Sequence, residues 1–345
     1  MAAKTHAIPD QTGKVIVVTG GNAGLGAETV RRLAAHNASR IFLCARTFSK
    51  AESLITAIKQ DHPDAALTPI HMDLASLESV RTAAAQILER TDRIHQLYLN
   101  AGIAIAPPGT TQEGYEAHFG VNHVAHALLT QTLMPVMLET SREEAADVRT
   151  IVVSSSAAKD FTSKTQGIDF TSVKSQALSL TRFTRYGQSK LANVLFAKKL
   201  AQLYPSITSV SLHPGVVRTE VGEKADVPWV VHWTWDNFWW LVAVEVETGA
   251  KTQLWAGTGE GVASGKFYVP FGKEMKFRGT EGEELMEELW RWTEKELRGQ
   301  GGVGWPEEAS MWSPRTVEDE LGQTRVGLAW PSPKRRAAAI GNILQ

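Results

Sequence analysis

The chain has 345 residues, of which 43% are hydrophobic and 21% charged, a balance typical of a soluble globular protein with a sizeable core. Its formal net charge of −1 argues against nucleic acid or an anionic membrane as the main partner. Cys44 is the only cysteine, which excludes a disulfide framework and a cysteine-based metal site and favours a reducing, cytoplasmic location. The sequence predicts no transmembrane helix.

The first predicted strand runs into a glycine-rich turn. Residues 14–20 form a continuous apolar run that predicts a buried parallel strand, and residues 27–36 predict an amphipathic helix. Between them, Gly20, Gly24 and Gly26 would let the backbone approach a pyrophosphate, whose charge a helix N-terminus attracts. Together these elements predict a dinucleotide cradle, the alternative being a plain turn between strand and helix.

A second strand, residues 40–46, ends in Arg46 about twenty residues beyond Gly26. An acidic residue at this point would bind the ribose 2′-hydroxyl of NAD, whereas an arginine can pair with a 2′-phosphate. Arg46 therefore favours NADP(H) as the cofactor. The alternative is a surface arginine without a ligand.

Helices and strands continue to alternate along the chain. We predict helices at residues 48–60 and 76–90 around a third strand, 68–74, and a fourth strand that ends in Asn100. Asp73 and Asn100 stand at the C-terminal ends of their strands, which form the ligand side of a parallel sheet.

A long helix is predicted over residues 113–139 and contains Asn122. His118, His123 and His126 lie near one another on this helix, but no carboxylate or cysteine completes a ligand set, so we predict no metal site. Asn122 itself is consistent with an ordinary polar residue bonded between helices.

A fifth strand, residues 148–153, precedes a polar insertion and a strongly helical stretch, 186–204. Tyr186 and Lys190 are four residues apart and so share one helix face. Because a nearby positive charge lowers the pKa of a phenol, the pair could act as an acid–base centre, the alternative being an ordinary helix pair. A sixth strand, 207–212, completes an alternation that predicts a doubly wound parallel sheet of the α/β class.

The last third of the chain has a different composition. All eleven tryptophans lie after residue 228, and five of them lie within residues 227–246. This segment suits an aromatic lid over a lipophilic substrate. Core packing, an oligomer interface and membrane-surface contact are the alternatives. Beyond it we predict a helix at 249–256, a seventh strand at 265–269 and a charged helix at 281–298.

The motifs occur in an order that resembles the classical short-chain dehydrogenase/reductase family over about residues 12–300. Residues 119–126 and 186–196 look like the retinol dehydrogenase and WW-domain oxidoreductase branch. The motifs that carry the resemblance are Thr19-Gly20-x-x-x-Gly24-x-Gly26, Asp73-Leu74, Asn100-Ala101-Gly102, Asn122, Ser155, Tyr186-x-x-x-Lys190 and Pro214-Gly215.

The resemblance implies a Rossmann fold of about seven strands. Residues 1–12 would be an N-terminal arm, and 13–300 a single domain with its substrate lid at about 220–247. Residues 301–345 would be a C-terminal extension and tail.

The resemblance also implies a role for each site residue. Tyr186 would be the acid–base residue, Lys190 would lower its pKa and hold the nicotinamide ribose, and Asn122 would support a proton-relay water. Ser155 matches the family's catalytic serine, whereas Ser154 faces the other side of the strand. Tyr186 and Lys190 would also contact the cofactor, together with Gly20, Gly24, Leu25, Gly26, Arg46, Asp73, Asn100, Val217 and Thr219.

The activity implied is an NADP(H)-dependent oxidoreductase that interconverts a carbonyl and an alcohol on a lipophilic small molecule, as a possible homo-oligomer. One alternative is a catalytically silent NADP(H)-binding regulator, but the complete set of four catalytic residues argues against it. Another is an epimerase or dehydratase of the extended branch, which typically has a different glycine spacing.

Overall fold

A computed structural model of the protein describes residues 6–163, 167–215, 217, 244–276, 282–307, 316–318 and 324–326. Helices and strands alternate through most of this range. In chain order they are β1 (Val15–Thr19), α1 (Gly24–Ala34), β2 (Arg40–Ala45), α2 (Phe48–Asp61), β3 (Leu67–His71), α3 (Leu77–Leu88), β4 (Gln96–Leu99), α4 (Ala117–Phe119), α5 (Ala125–Thr140), β5 (Arg149–Val153), α6 (Ala157–Asp160), α7 (Arg182–Leu203), β6 (Thr208–Leu212), α8 (Val246–Thr258), β7 (Phe267–Val269), β8 (Lys273–Glu274), α9 (Glu283–Gly299), β9 (Thr316–Glu318) and β10 (Thr324–Val326).

The central sheet has the strand order β3-β2-β1-β4-β5-β6-β7-β8. The first seven strands are parallel, and β8 pairs antiparallel with β7. The strand order reverses direction between β1 and β4, which is where an open parallel sheet opens a crevice for a ligand. The predicted doubly wound parallel sheet is confirmed, and β8 is an edge strand that the sequence did not predict.

The strands are apolar on both faces because helices cover the sheet on both sides. In β1, Val15 and Val17 belong to one hydrophobic cluster, whereas Ile16 and Val18 belong to the other. All five residues of β1 are buried. A continuous apolar run, rather than an alternating one, is what a strand buried on both faces requires.

The helix predicted over residues 113–139 begins later than expected. Glu116 precedes α4, and its carboxylate accepts a hydrogen bond from the Phe119 amide at 2.8 Å, which caps the helix. A π-helical turn, Gly120–Val124, then joins α4 to α5. Such turns are frequent at functional sites, and this one contains Asn122.

The C-terminal helix α9 closes one side of the core with aromatic rings. The Trp290 ring stacks on Phe196 of α7, with ring centroids 6.1 Å apart. The centroids of the Trp305 and Trp290 rings are 4.4 Å apart. Tyr204 donates its hydroxyl proton to the Pro306 carbonyl oxygen at 2.8 Å. The packing therefore includes Trp305 and Pro306, which belong to the predicted C-terminal extension.

Several predicted features lie outside the described residues. They include most of the predicted lid, since residues 218–243 are not described, and most of the C-terminal extension and tail. Val217 forms a parallel bridge with Val244 across that interval. Among the helices within the described ranges, none is long and apolar enough to cross a membrane.

Candidate active site

The predicted site residues come together at the C-terminal ends of the parallel strands. Thr19 ends β1, Asn100 follows β4, and Ser154 follows β5. Helix α7 crosses the same edge and carries Tyr186 and Lys190. This edge next to the reversal in strand order is where the topology alone places a ligand.

The turn after β1 is built for a close approach of backbone to a ligand. Gly20 and Gly24 have φ values of 64° and 50°, a region that favours glycine. A Cβ on Gly26 would lie 2.2 Å from the Gly20 carbonyl oxygen, so no larger residue fits. Helix α1 begins at Gly24 with neither a side-chain cap nor an acidic residue in its first turn. Its N-terminal amides therefore suit a phosphate anion.

Thr19 connects this turn to the loop after β4. Its hydroxyl oxygen accepts hydrogen bonds from the amides of Asn100, at 2.9 Å, and Ala101, at 3.0 Å. The side-chain amide of Asn100 donates in turn to the Thr19 carbonyl oxygen at 2.9 Å. In the sequence Thr19 is only part of the glycine motif, and its connecting role follows from the pairing of β1 with β4.

Leu25 and Val217 meet at the start of helix α8. A Cβ on Gly249 would lie 3.0 Å from Leu25 Cδ2 and 2.5 Å from Val217 Cγ2, so this glycine makes room for both side chains. The structure thus brings two predicted cofactor residues together. Thr219, predicted to act with Val217, lies outside the described residues.

Arg46 and Asp73 follow β2 and β3. Arg46 is exposed, directly before helix α2, whose first turn contains no acidic residue. Asp73 is partly buried, and its carboxylate accepts a hydrogen bond from the Ala75 amide at 3.0 Å. Asp73 therefore also has a local structural role, in shaping the turn into α3.

The first two of the three serines after β5 have different partners. Ser154 is buried and donates to the Lys190 carbonyl oxygen at 2.7 Å. Ser155 is hydrogen-bonded through its side chain to Tyr186, and its hydroxyl oxygen also accepts from the Ala157 amide at 3.2 Å. Of these two serines, the geometry places Ser155 beside the predicted acid–base residue.

Burial shifts the pKa of both Tyr186 and Lys190. The Lys190 Nζ atom lies 5.8 Å from the centre of the Tyr186 ring and donates to the Val153 carbonyl oxygen at 3.1 Å. Burial lowers the pKa of Lys190 to about 8. Burial raises the pKa of Tyr186, and the hydrogen bond from Ser155 opposes that rise. The net direction of the Tyr186 pKa is upward, because burial is the larger effect here, whereas the spacing of Tyr186 and Lys190 predicts a lowered pKa.

Asn122 holds the site together through both ends of its side-chain amide. Its oxygen accepts from the Ile103 amide at 2.9 Å, and its nitrogen donates to the Ile103 carbonyl at 3.0 Å and to Ser189 Oγ at 2.9 Å. A Cβ on Gly102 would lie 2.9 Å from the Asn122 oxygen and 3.3 Å from Lys190 Nζ. The small residues after β4 therefore allow the loop to reach both side chains.

The histidines of this region are each bonded within the protein. His126 Nδ1 lies 3.0 Å from the Asn122 carbonyl oxygen and its Nε2 lies 2.9 Å from Thr19 Oγ1. His123 Nε2 lies 2.9 Å from Thr293 Oγ1. In the described part of the chain, no three histidine, cysteine, aspartate or glutamate side chains form a group that could hold a metal ion.

Sequence reasoning missed a buried set of polar side chains beside Tyr186. It consists of Glu116, His118 and Arg185, which are 2%, 0% and 4% exposed. From the sequence alone, His118 is a candidate only for a metal site. The spacing of Glu116 and His118 along the chain gave no sign that Arg185 approaches them from another helix.

Comparison with known proteins agrees with this architecture. The family model described as short chain dehydrogenase matches residues 14–166. A short-chain dehydrogenase/reductase of Armillaria gallica is 37% identical over 301 residues, 84% of this chain and 92% of that protein. Retinol dehydrogenase 13 of Homo sapiens is 34% identical over 284 residues, 81% of this chain and 82% of that protein.

A solved structure has the same fold. The NADPH-bound carbonyl reductase from chicken fatty liver superposes with a TM-score of 0.60 at 23% identity, covering 80% of this chain and 98% of the reductase. Its fold agrees with the parallel sheet described above. The chain therefore belongs to the classical short-chain dehydrogenase/reductase family of oxidoreductases, within its retinol dehydrogenase-like branch.

Proposed function

We propose that the protein is an NADP(H)-dependent oxidoreductase that interconverts a carbonyl and an alcohol on a lipophilic small molecule, with Tyr186 as acid and base. The observation that carries this proposal is the hydrogen bond between Ser155 and Tyr186, with the Lys190 ammonium 5.8 Å from the same ring. A hydroxyl, a phenol and a buried cation at one strand end can polarise a carbonyl oxygen and protonate it.

The protonation states suit the reduction direction. The raised pKa of Tyr186 keeps its phenol protonated at neutral pH, so it can donate a proton to the oxygen on which charge develops. Ser155 would share the hydrogen bonding of that oxygen. With a pKa of about 8, Lys190 is mostly charged at neutral pH and favours the phenolate that remains after the proton has left. Alcohol oxidation would use the same groups in reverse.

We propose that Asn122 supports this centre by positioning the residues around it. Its amide fixes Ile103 on the loop after β4 and Ser189 on α7, and Ser189 is the neighbour of Lys190. Its predicted contact with a relay water stays a prediction.

The cofactor proposal rests on the shape and charge of the cradle. The open N-terminus of α1 and the glycines of the preceding turn fit a pyrophosphate, and NADP(H) bound there would supply or accept hydride. Arg46, followed by a helix without an acidic first turn, favours a 2′-phosphate over a bare ribose. The NADPH carried by the chicken carbonyl reductase is consistent with this choice.

A lipophilic substrate is supported by the apolar side chains around Tyr186. Phe183 lies one helical turn before it, and Phe161 follows α6, with the two rings 5.1 Å apart. They are 37% and 43% exposed, which is unusual for two adjacent phenylalanines. Their position beside the site suits a substrate with an apolar body.

The direct test is cofactor oxidation with a panel of lipophilic aldehydes and ketones. We expect the wild-type protein to oxidise NADPH with at least one of them, and Tyr186→Phe to lose at least about a thousandfold in kcat, within the combined size of acid catalysis and transition-state hydrogen bonding. NADPH affinity, measured by fluorescence, should change little. Full activity of Tyr186→Phe would contradict the assignment. NADPH binding without any turnover would favour a regulator.

A further inference from the structure

Glu116, His118 and Arg185 form a buried polar cluster that the proposed mechanism does not use. His118 Nδ1 lies 2.8 Å from Glu116 Oε1, and Arg185 Nε lies 3.5 Å from the same oxygen. The second oxygen of Glu116 accepts from the Phe119 amide. Burying ionic groups is costly unless they are paired, and here all three side chains are buried and paired within the cluster.

Hydrogen bonding fixes the tautomer of His118. Its Nε2 lies 3.0 Å from the Ala106 amide nitrogen, and because an amide N–H only donates, Nε2 must be the unprotonated acceptor. The proton of the neutral ring is then on Nδ1, which donates it to Glu116. The carboxylate thus sets both the orientation and the tautomer that the Ala106 contact requires.

The loop that His118 holds is strained. Ile105, immediately before Ala106, has a φ of 53°, which is rare for a β-branched residue. Asn122 anchors the loop on one side at Ile103, and His118 anchors it on the other at Ala106. A strained residue persists only where its surroundings over-determine it, and here two side chains one helical turn apart supply that constraint.

The same imidazole touches the proposed acid–base residue. The His118 and Tyr186 rings meet edge to face, with centroids 6.0 Å apart and planes at 62°. Arg185, the residue before Tyr186, donates to the Leu180 carbonyl oxygen at 2.8 Å. The cluster therefore links the loop after β4, the insertion before α7 and the first turns of α7 at one point beside the phenol.

We propose that His118 is a positioning residue for the reaction: it clamps the Ile103–Ala106 loop against the Tyr186 ring and so keeps the phenol aligned with Ser155. This inference rests on the proposed function, because it needs Tyr186 to be the proton donor. Glu116 and Arg185 act through His118 by fixing its ring. Asn122 and His118 then have parallel roles, each binding a backbone group of one loop.

Three substitutions at position 118 separate the two hydrogen bonds of the imidazole. His118→Gln keeps a hydrogen-bond acceptor near the position of Nε2. His118→Asn keeps a donor near the position of Nδ1, but its side chain is too short to reach the Ala106 amide. His118→Leu keeps neither group. His123→Leu is the matched control, since His123 is equally buried in the adjoining π-helical turn and bonds Thr293 on α9.

The first measurement is NADPH oxidation with decanal and with acetophenone. We expect His118→Leu and His118→Asn to lose at least about tenfold in kcat, with NADPH affinity within about twofold of wild type. His118→Gln should stay within about threefold of wild type, and His123→Leu should lose kcat only in step with its folded fraction. Equal losses in His118→Gln and His118→Asn, or an equal loss in His123→Leu, would overturn the proposal.

A second measurement needs no substrate. Subtracting the ultraviolet pH titration of the Tyr186→Phe variant, made in the wild-type, His118→Leu and His123→Leu backgrounds in turn, reports the phenol of Tyr186 alone in each. Release of the loop should admit water and move that pKa downward by at least about half a unit in His118→Leu but not in His123→Leu. An unmoved pKa would overturn the clamp. An active Tyr186→Phe would instead refute the proposed function, so the two failures are distinguishable.

Discussion

Arg46 is the side chain on which the choice between the two nicotinamide cofactors rests. It is exposed at the end of β2, and helix α2 begins two residues later. We expect Arg46→Asp to weaken NADPH binding about ten- to a hundredfold, because a charge-assisted hydrogen bond is lost and a repulsive carboxylate takes its place. NADH binding should weaken much less or improve, since an acidic residue here suits a ribose 2′-hydroxyl.

The measurement for Arg46 is the ratio of kcat/KM with NADPH to that with NADH. Lys59→Asp is a suitable control, because it changes the net charge equally but lies in the last turn of the same helix. A preference ratio that moves equally in both variants would mean that the general electrostatic field, rather than Arg46, selects the cofactor.

Among the elements, the unit formed by β1, its glycine turn and α1 is the most sharply constrained. We expect Gly26→Ala to weaken NADPH binding at least tenfold and to lower the melting temperature, because the added Cβ would lie 2.2 Å from the Gly20 carbonyl oxygen. Gly299→Ala is the matched control, since a Cβ at the end of α9 meets nothing within 4 Å. Unchanged NADPH affinity in Gly26→Ala would argue against this turn as the cradle.

The elements also show what local sequence can and cannot predict. The strand and turn from residue 14 to 26 were predictable because apolar runs and glycine spacing act locally. The π-helical turn around Asn122 was not; within it a Cβ on Gly120 would lie 2.3 Å from Thr111 Cγ2, a close approach that the sequence does not reveal. The pairing of Arg185 with Glu116 was equally inaccessible, since it depends on how α4 and α7 pack. Motif order predicted which residues gather at the strand ends, but not the hydrogen bonds that hold them.

On the scale of the whole molecule, the buried charge in the site lowers the stability of the fold. Lys190 is 4% exposed, and burial lowers its pKa from 10.5 to about 8. That difference corresponds to a cost on the order of 3 kcal/mol for folding with the ammonium charged. Lys190→Met removes the charge, while the Val153 carbonyl oxygen keeps its hydrogen bond from Asn193 at 3.1 Å. We therefore expect this variant to be inactive yet to melt at a higher temperature than the wild type at pH 7.

The pH dependence distinguishes this explanation from a simple gain in packing. Below pH 8 both the folded and the unfolded chain carry the proton on Lys190, and the wild type bears the full cost. Between pH 8 and 10.5 the unfolded chain binds more protons than the folded one, so wild-type stability rises with pH relative to Lys190→Met. The melting advantage of the variant should therefore shrink from pH 7 to pH 10. Lys198→Met, which removes a more exposed charge from the same helix, is the matched control for the loss of a charge alone. An advantage independent of pH would mean that the buried ammonium is not what destabilises the fold.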